Sequence, residues 1–262
     1  MTVLLLDISD GVATVTLNRP ESLNSLSVEL KVALRETLDS LAEESAVRAI
    51  VLAGAGRAFC VGQDLREHVT MLESGSTTPL STVREHYNPI VMRLAEMPKP
   101  VVAAVRGMAA GAGAGLALLA DFRIGGPSTG FLMAFANVGL AADTASSWTL
   151  PRLVGHAKAT ELLVLAQPVD SAEAARIGLL TTVVAEDDAV LGAAQGLARR
   201  LAEGPTVAYG QIKRELLVAA SGTLADALEA EALAQTVSGA TSDHIDSVTA
   251  FVAKQRPVFN GR

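Results

Sequence analysis

The chain has 262 residues, half of them hydrophobic but only 3% aromatic, so its core is built from Ala, Val and Leu rather than from large rings. Its net charge of −7, from 21 basic and 28 acidic residues, speaks against general nucleic-acid binding, which needs a basic surface to displace phosphate counterions. The single cysteine, Cys60, leaves no intrachain disulfide and fits a reducing, cytoplasmic setting.

The N-terminal segment lacks a basic stretch and turns acidic at Asp7, unlike a secretion signal. Val3 to Ile8 and Val12 to Leu17 read as two strands, and Asp10-Gly11 between them supplies hairpin turn chemistry. Ser27 opens a helix to about Glu44, whose Leu30, Leu34, Leu38 and Leu41 recur at spacings of three or four. Arg48 to Ala53 is a short apolar strand stopped by Gly54-Ala55-Gly56, and residues 73–82 form a polar loop. A helix near Val83 to Glu96 leads through Pro98 and Pro100 to a second buried strand, Val101 to Val105. The apolar run from Gly107 to Ala120 is too short to span a bilayer, so no membrane is expected as a partner.

Strand, Gly-rich turn and helix thus occur twice in about seventy residues, the alternation of an α/β fold. From Ser171 onward helix signals dominate, with one further strand at Leu180 to Val184. Gly204-Pro205 and Ser221-Gly222-Thr223 punctuate three helices, and Thr223 with Asp226 has capping-box spacing. We expect a core over residues 1–197 and a helical module over 198–262.

The two Gly-rich turns do not bind a dinucleotide by the usual fingerprint. Gly54-Ala55-Gly56-Arg57-Ala58-Phe59 and Gly111-Ala112-Gly113-Ala114-Gly115-Leu116 both lack its last glycine, and neither is a phosphate loop. Glycine at a strand-to-helix turn also lets backbone N–H groups converge on an anionic oxygen. In that light Arg57-Ala58-Phe59-Cys60-Val61-Gly62-Gln63-Asp64-Leu65 resembles the first oxyanion loop of the crotonase (enoyl-CoA hydratase/isomerase) superfamily. Ala104-Val105-Arg106-Gly107-Met108-Ala109-Ala110-Gly111-Ala112-Gly113 resembles the second, departing at Arg106 and Ala112. Asn18-Arg19-Pro20 with Asn24-Ser25-Leu26, the run Leu150 to Gly155, and Ala250 to Phe259 resemble three further family segments in the same order.

The resemblance implies a crotonase-like spiral of ββα units with a C-terminal helical oligomerisation module, acting on an acyl-CoA thioester as a homotrimer or hexamer. Coenzyme A is then part of the substrate, and no separate cofactor is expected. By position, the N–H groups of Val61 and Ala112 would hold the thioester oxygen, each contributing about 3 kcal/mol to an enolate-like transition state. Leu26, Arg57 and Phe59 would bind the CoA moiety, and Phe251 and Lys254 match positions that touch CoA from a neighbouring subunit.

A family hydratase uses two glutamates around one water, and their positions here are Gly115 and Phe135. No glutamate lies between Glu96 and Glu161, so a small shift in alignment cannot restore them. Asp143 remains, at a place where family members carrying Pro-Asp use the aspartate as acid/base. Phe131 to Phe135 with Gly139-Leu140 and Asp143 is similar to ring-1,2-epoxyphenylacetyl-CoA isomerases of phenylacetate breakdown. The usual Pro-Asp followed by glycines has here become Ala142-Asp143-Thr144-Ala145. Phe135, Met133 and Trp148 are expected to surround Asp143 and raise its pKa. A helix N-cap is the competing role for Asp143. Isomerisation through Asp143 is the leading expectation, beside a hydratase or other crotonase reaction and a non-catalytic acyl-CoA-binding protein. The four histidines show no metal-ligand spacing, so no metal is expected.

Overall fold

The computed structural model describes residues 2–75, 77–78 and 80–262. The chain begins with β1 (Leu4–Ser9) and β2 (Val12–Leu17), an antiparallel hairpin. Its Asp10 and Gly11 both take positive φ, 52° and 73°, the geometry of the tight turn that matches strand twist. α1 (Val28–Glu43) follows, capped by the Ser27 hydroxyl on the Leu30 N–H, with the four expected leucines buried. β3 (Ala49–Gly54) and β4 (Val101–Val105) then align parallel to β2, joined farther out by β6 (Phe122–Gly125) and β9 (Thr182–Val183).

The six-stranded sheet runs β1-β2-β3-β4-β6-β9. Every residue of β4 is buried, as expected of a strand covered on both faces. Alternation sorts its residues: Val101, Ala103 and Val105 join the α1 leucines, while Val102 and Ala104 face the other side. That side is covered by α8 (Val190–Ala202), which presents Val190, Ala194, Ala198 and Ala202. Small side chains at a four-residue interval bring the helix close to the sheet.

A second, three-stranded sheet contains β5 (Met108–Ala110), β7 (Gly130–Leu132) and β8 (Val169–Asp170) in the order β5-β7-β8. The ββα unit is thereby repeated. β4, β5 and α4 (Ala112–Leu119) form one turn, and β6, β7 and α5 (Ser146–Val154) form the next. The turn before them is abbreviated: β3 is followed by a lone bridge from Cys60 to Ala109 and then α2 (Leu65–Glu73). α3 (Asn88–Glu96) continues a π-helical turn at Val83–Tyr87, where a regular helix was expected. The polar loop expected at 73–82 shows turn and bend backbone at 74–75, 77–78 and 80–81; Ser76 and Pro79 lie outside the described residues.

α6 (His156–Leu165) and α7 (Ser171–Arg176) complete the core side, and α9 (Thr206–Ala219), α10 (Leu224–Gly239) and α11 (Ser242–Val252) form the C-terminal helices. α8 is continuous through residues 197 and 198, so the last sheet-covering helix extends past the expected division. Thr223 and Asp226 form the anticipated capping box of α10. α9 is tied to the sheet by Lys213 Nζ, 2.8 Å from Asp121 Oδ2, which also accepts the Val101 N–H at 2.7 Å. The tail returns to the body through Arg48, whose Nη1 donates to the Phe259 carbonyl at 3.0 Å. Among the described residues no helix is long and apolar enough to cross a membrane.

Candidate active site

The first oxyanion-type loop is held from below by the N-terminal turn. Asn24, fully buried, donates through its amide to the carbonyls of Ala55, Ala58 and Phe59 at 2.9–3.2 Å. Leu26 N–H donates to the Gly62 carbonyl at 2.7 Å. Asp64 accepts from Arg19 Nη1 at 2.8 Å, from Ser25 Oγ at 3.0 Å and from the N–H groups that begin α2. Burial alone would raise its pKa, but these donors outweigh it and hold the carboxyl below its ordinary value. The Asn-Arg-Pro and Asn-Ser-Leu segments therefore shape the loop.

The two loops meet where glycine allows it. A Cβ on Gly62, which has φ +89°, would lie 2.9 Å from the Ala110 carbonyl and 3.2 Å from the Ala112 nitrogen. One on Gly113 would lie 2.7 Å from Cys60 Sγ and overlap the Cys60 carbonyl. Only bare backbone permits this approach, which sets Val61 beside the N-terminus of α4. Ala112 is the first residue of that helix, so its N–H has no intrahelical acceptor and sits at the positive end of the dipole. The Val61 N–H donates to the Leu23 carbonyl at 3.2 Å, a long bond that leaves it able to be shared or exchanged.

Val61, Gly62, Ala112, Phe135 and Asp143 line one cavity, whose remaining wall includes Gln63, His68, Thr82, Val83 and Tyr87. Asp143 is the one carboxylate among the described residues that line it. Burial raises its pKa; the Thr144 hydroxyl, donating to Oδ1 at 3.1 Å, and the charge of Lys31 oppose that rise without cancelling it. The side chain is not a helix cap. α5 starts at Ser146, its N-cap is Ala145, and Asp143 contributes only its backbone carbonyl to the Ser146 N–H.

The turn bearing Asp143 keeps a glycine-type conformation without glycine: Thr144 and Ala145 have φ of 46° and 57°. Thr144 is buried against Gly115. A Cβ on Gly115 would overlap Thr144 Oγ1 and lie 2.7 Å from its Cβ and 2.8 Å from its carbonyl oxygen. The space beside Gly115 is thus already filled by Thr144, and Phe135 lines the cavity.

Several expectations need correction. Phe135 does face the cavity, but Met133 is buried in the main core, and Trp148 stacks on the Arg152 guanidinium at 4.0 Å in a separate groove. Leu26 and Phe59 are fully buried, so they offer no side-chain surface to a ligand and serve to hold the loop. Arg57, Phe251 and Lys254 are exposed on the surface outside the cavity, where Phe251 and Lys254 are open to a neighbouring subunit. Cys60 is buried, and burial pushes its thiol up to about 12, which leaves it an inert packing residue. Among the described residues no group of three or more His, Cys, Asp or Glu side chains is placed to hold a metal.

One part of the site escaped the sequence reading. Lys31 is fully buried, with Nζ 3.1 Å from Gln63 Oε1 and 2.6 Å from Thr82 Oγ1. The Tyr87 hydroxyl also donates to Gln63 Oε1, and Thr82 Oγ1 is 3.1 Å from His86 Nδ1. Burial lowers the pKa of Lys31, against the charges of Glu67, Asp64 and Asp143. The same burial lowers that of His86, helped by Lys31, which suits Nδ1 as the acceptor from Thr82.

Comparison with known proteins matches residues 7–262 to the enoyl-CoA hydratase/isomerase family. The chain is 41% identical to 1,2-epoxyphenylacetyl-CoA isomerase of Escherichia coli (strain K12), covering 100% of each chain. It is 40% identical to a protein of Rhodobacter capsulatus named "Probable enoyl-CoA hydratase", over 98% of this chain and 97% of that one. The crystal structure of an enoyl-CoA hydratase from Mycobacterium smegmatis superposes with a TM-score of 0.90 at 31% identity, covering 98% of both chains.

Proposed function

This chain belongs to the enoyl-CoA hydratase/isomerase family, and from that premise we propose that it isomerises a double bond or ring in an acyl-CoA, with Asp143 as acid/base. The carrying observation is the single lining carboxylate, with Thr144 filling the space at Gly115 that a hydratase glutamate would need. The N–H groups of Val61 and Ala112 hold the thioester oxygen, the Leu23 carbonyl being exchanged or sharing its donor. Asp143, ionised, takes a proton from a carbon conjugated to the thioester, and the C–H electron pair moves into the enolate. The protonated carboxyl then returns that proton to a different carbon, so the substrate's atoms are conserved. A raised pKa brings the acid and base forms closer in energy, which suits both half-steps.

The similarity to the Escherichia coli isomerase supports a ring-epoxide or unsaturated acyl group in phenylacetate catabolism. Apolar residues exposed along α9 to α11, among them Leu216 (67%), Leu224 (77%) and Phe251 (82%), support burial of that face in a homotrimer or hexamer.

The test compares wild type with Asp143→Asn on crotonyl-CoA, a 3-enoyl-CoA and 1,2-epoxyphenylacetyl-CoA. Wild type should isomerise one of the last two without adding water to the first, and Asp143→Asn should lower kcat by about 10²–10⁴-fold. Water addition by the wild type would exclude the isomerase reading. Isomerisation unchanged in the variant would remove Asp143 from the chemistry.

A further inference from the structure

The buried network behind the cavity fixes the orientation of one side chain that faces it. Gln63 Oε1 receives both Lys31 Nζ and the Tyr87 hydroxyl. A lysine ammonium has donors only, so it must meet the amide oxygen, and the reversed carboxamide would set donor against donor. Thr82 does not release Lys31 from that arrangement, since its hydroxyl oxygen only accepts another Lys31 N–H and leaves the one facing Gln63 in place. Lys31 is itself immobile, fully buried and 5.0 Å from the centre of the Tyr87 ring. With Oε1 saturated, the Nε2 amide of Gln63 is left without a hydrogen-bond acceptor among the described residues, while Gln63 lines the cavity that holds Asp143.

We infer that Gln63 is a specificity-determining residue, whose oriented N–H donors read an ether- or epoxide-type oxygen on the acyl group of the substrate. The inference rests on the acyl-CoA reading above and narrows it: a plain hydrocarbon chain would leave the polar Gln63 amide desolvated and unpaired. A site built to donate to an oxygen disfavours the analogue that lacks it, because the donor loses water and gains nothing. Lys31, Thr82 and Tyr87 are positioning residues, fixing which end of the carboxamide looks inward.

Two unreactive thioesters of matched shape test this by calorimetric binding: (tetrahydropyran-2-yl)acetyl-CoA and cyclohexylacetyl-CoA. Wild type should bind the ether about tenfold more tightly, the equivalent of one well-made hydrogen bond. Gln63→Glu keeps an acceptor for Lys31 and Tyr87 but turns an oxygen toward the cavity, so the preference should vanish or reverse. Gln63→Met, which removes the donor without adding charge, should likewise bring the ratio near one. Asp143→Asn should keep the tenfold ratio, which separates this inference from the assignment of the acid/base. Equal binding of the two thioesters by wild type, or an undiminished preference in Gln63→Glu, would overturn it.

Discussion

Asp143 is held at odds with its own charge. Burial penalises the carboxylate, while Thr144 donates to it and Lys31 attracts it from within the wall. If Asp143 must be ionised to accept a proton, kcat/KM falls as pH drops through its folded pKa. The acid limb of the pH–rate profile should therefore lie above the ordinary value of an aspartate. Thr144→Val removes a hydrogen bond that favours the ionised form, so it should move that limb further up. Stability carries the opposite sign. A carboxyl whose folded pKa is raised lends most stability when protonated, below its unfolded value, and loses it as pH rises through the folded value. Asp143→Asn should thus stabilise the protein by about 1 kcal/mol at pH 8, with the gain shrinking toward zero as pH falls to the ordinary carboxylate range. Thermal denaturation at a series of pH values checks it.

At the scale of elements, the turn into α5 combines two residues at positive φ with neither being glycine. Ala145 at φ 57° can become glycine without losing a buried contact of any size, so Ala145→Gly should stabilise the fold by about 0.5–1 kcal/mol, measured by urea denaturation. This element also shows what a sequence can and cannot disclose. Where the sequence lacks the family's glycines, the backbone still takes positive φ at Thr144 and Ala145, so the strain is visible only in the structure. α1 and the parallel strands were legible because leucine periodicity and unbroken apolar runs are local signals. α2 was not, because none of its residues is buried and Leu65, Val69 and Leu72 are about half exposed. Val61, Ala112 and Asp143, singled out by motif position, line one cavity. Lys31 sits beside the leucine stripe of α1, and its partners are 32 and 51 residues away. Only folding brings them together, so no spacing rule points to that network. The π turn at Val83–Tyr87 is invisible for the same reason.

At the scale of the whole molecule, β3, β4 and the facing side of α8 bury their apolar surface, whereas β1, with Leu5, Leu6 and Ile8 about half exposed, and α9 to α11 do not. Ile212, Leu216, Leu228, Leu233, Ile245 and Val248 are each about half exposed or more. Assembly of three or six copies follows from the proposed function, and Leu216→Glu should weaken it. Analytical ultracentrifugation should find wild type at a multiple of three and the variant shifted toward monomer, with its circular dichroism unchanged. A monomeric wild type would refute the assembly.

Gly115 and Thr144 share one volume, and that makes their identities a single choice. Glutamate at 115 alone would collide with the threonine, and glycine at 144 alone would leave a hole and an unsupported aspartate. A lineage moving between the water-adding and bond-shifting chemistries at this site would have to move the turn itself as well as exchange both side chains, because the Thr144 carbonyl also stands 2.8 Å from a Cβ at 115. Mutational scans of either position would therefore report on the placement of that turn as much as on the side chain exchanged.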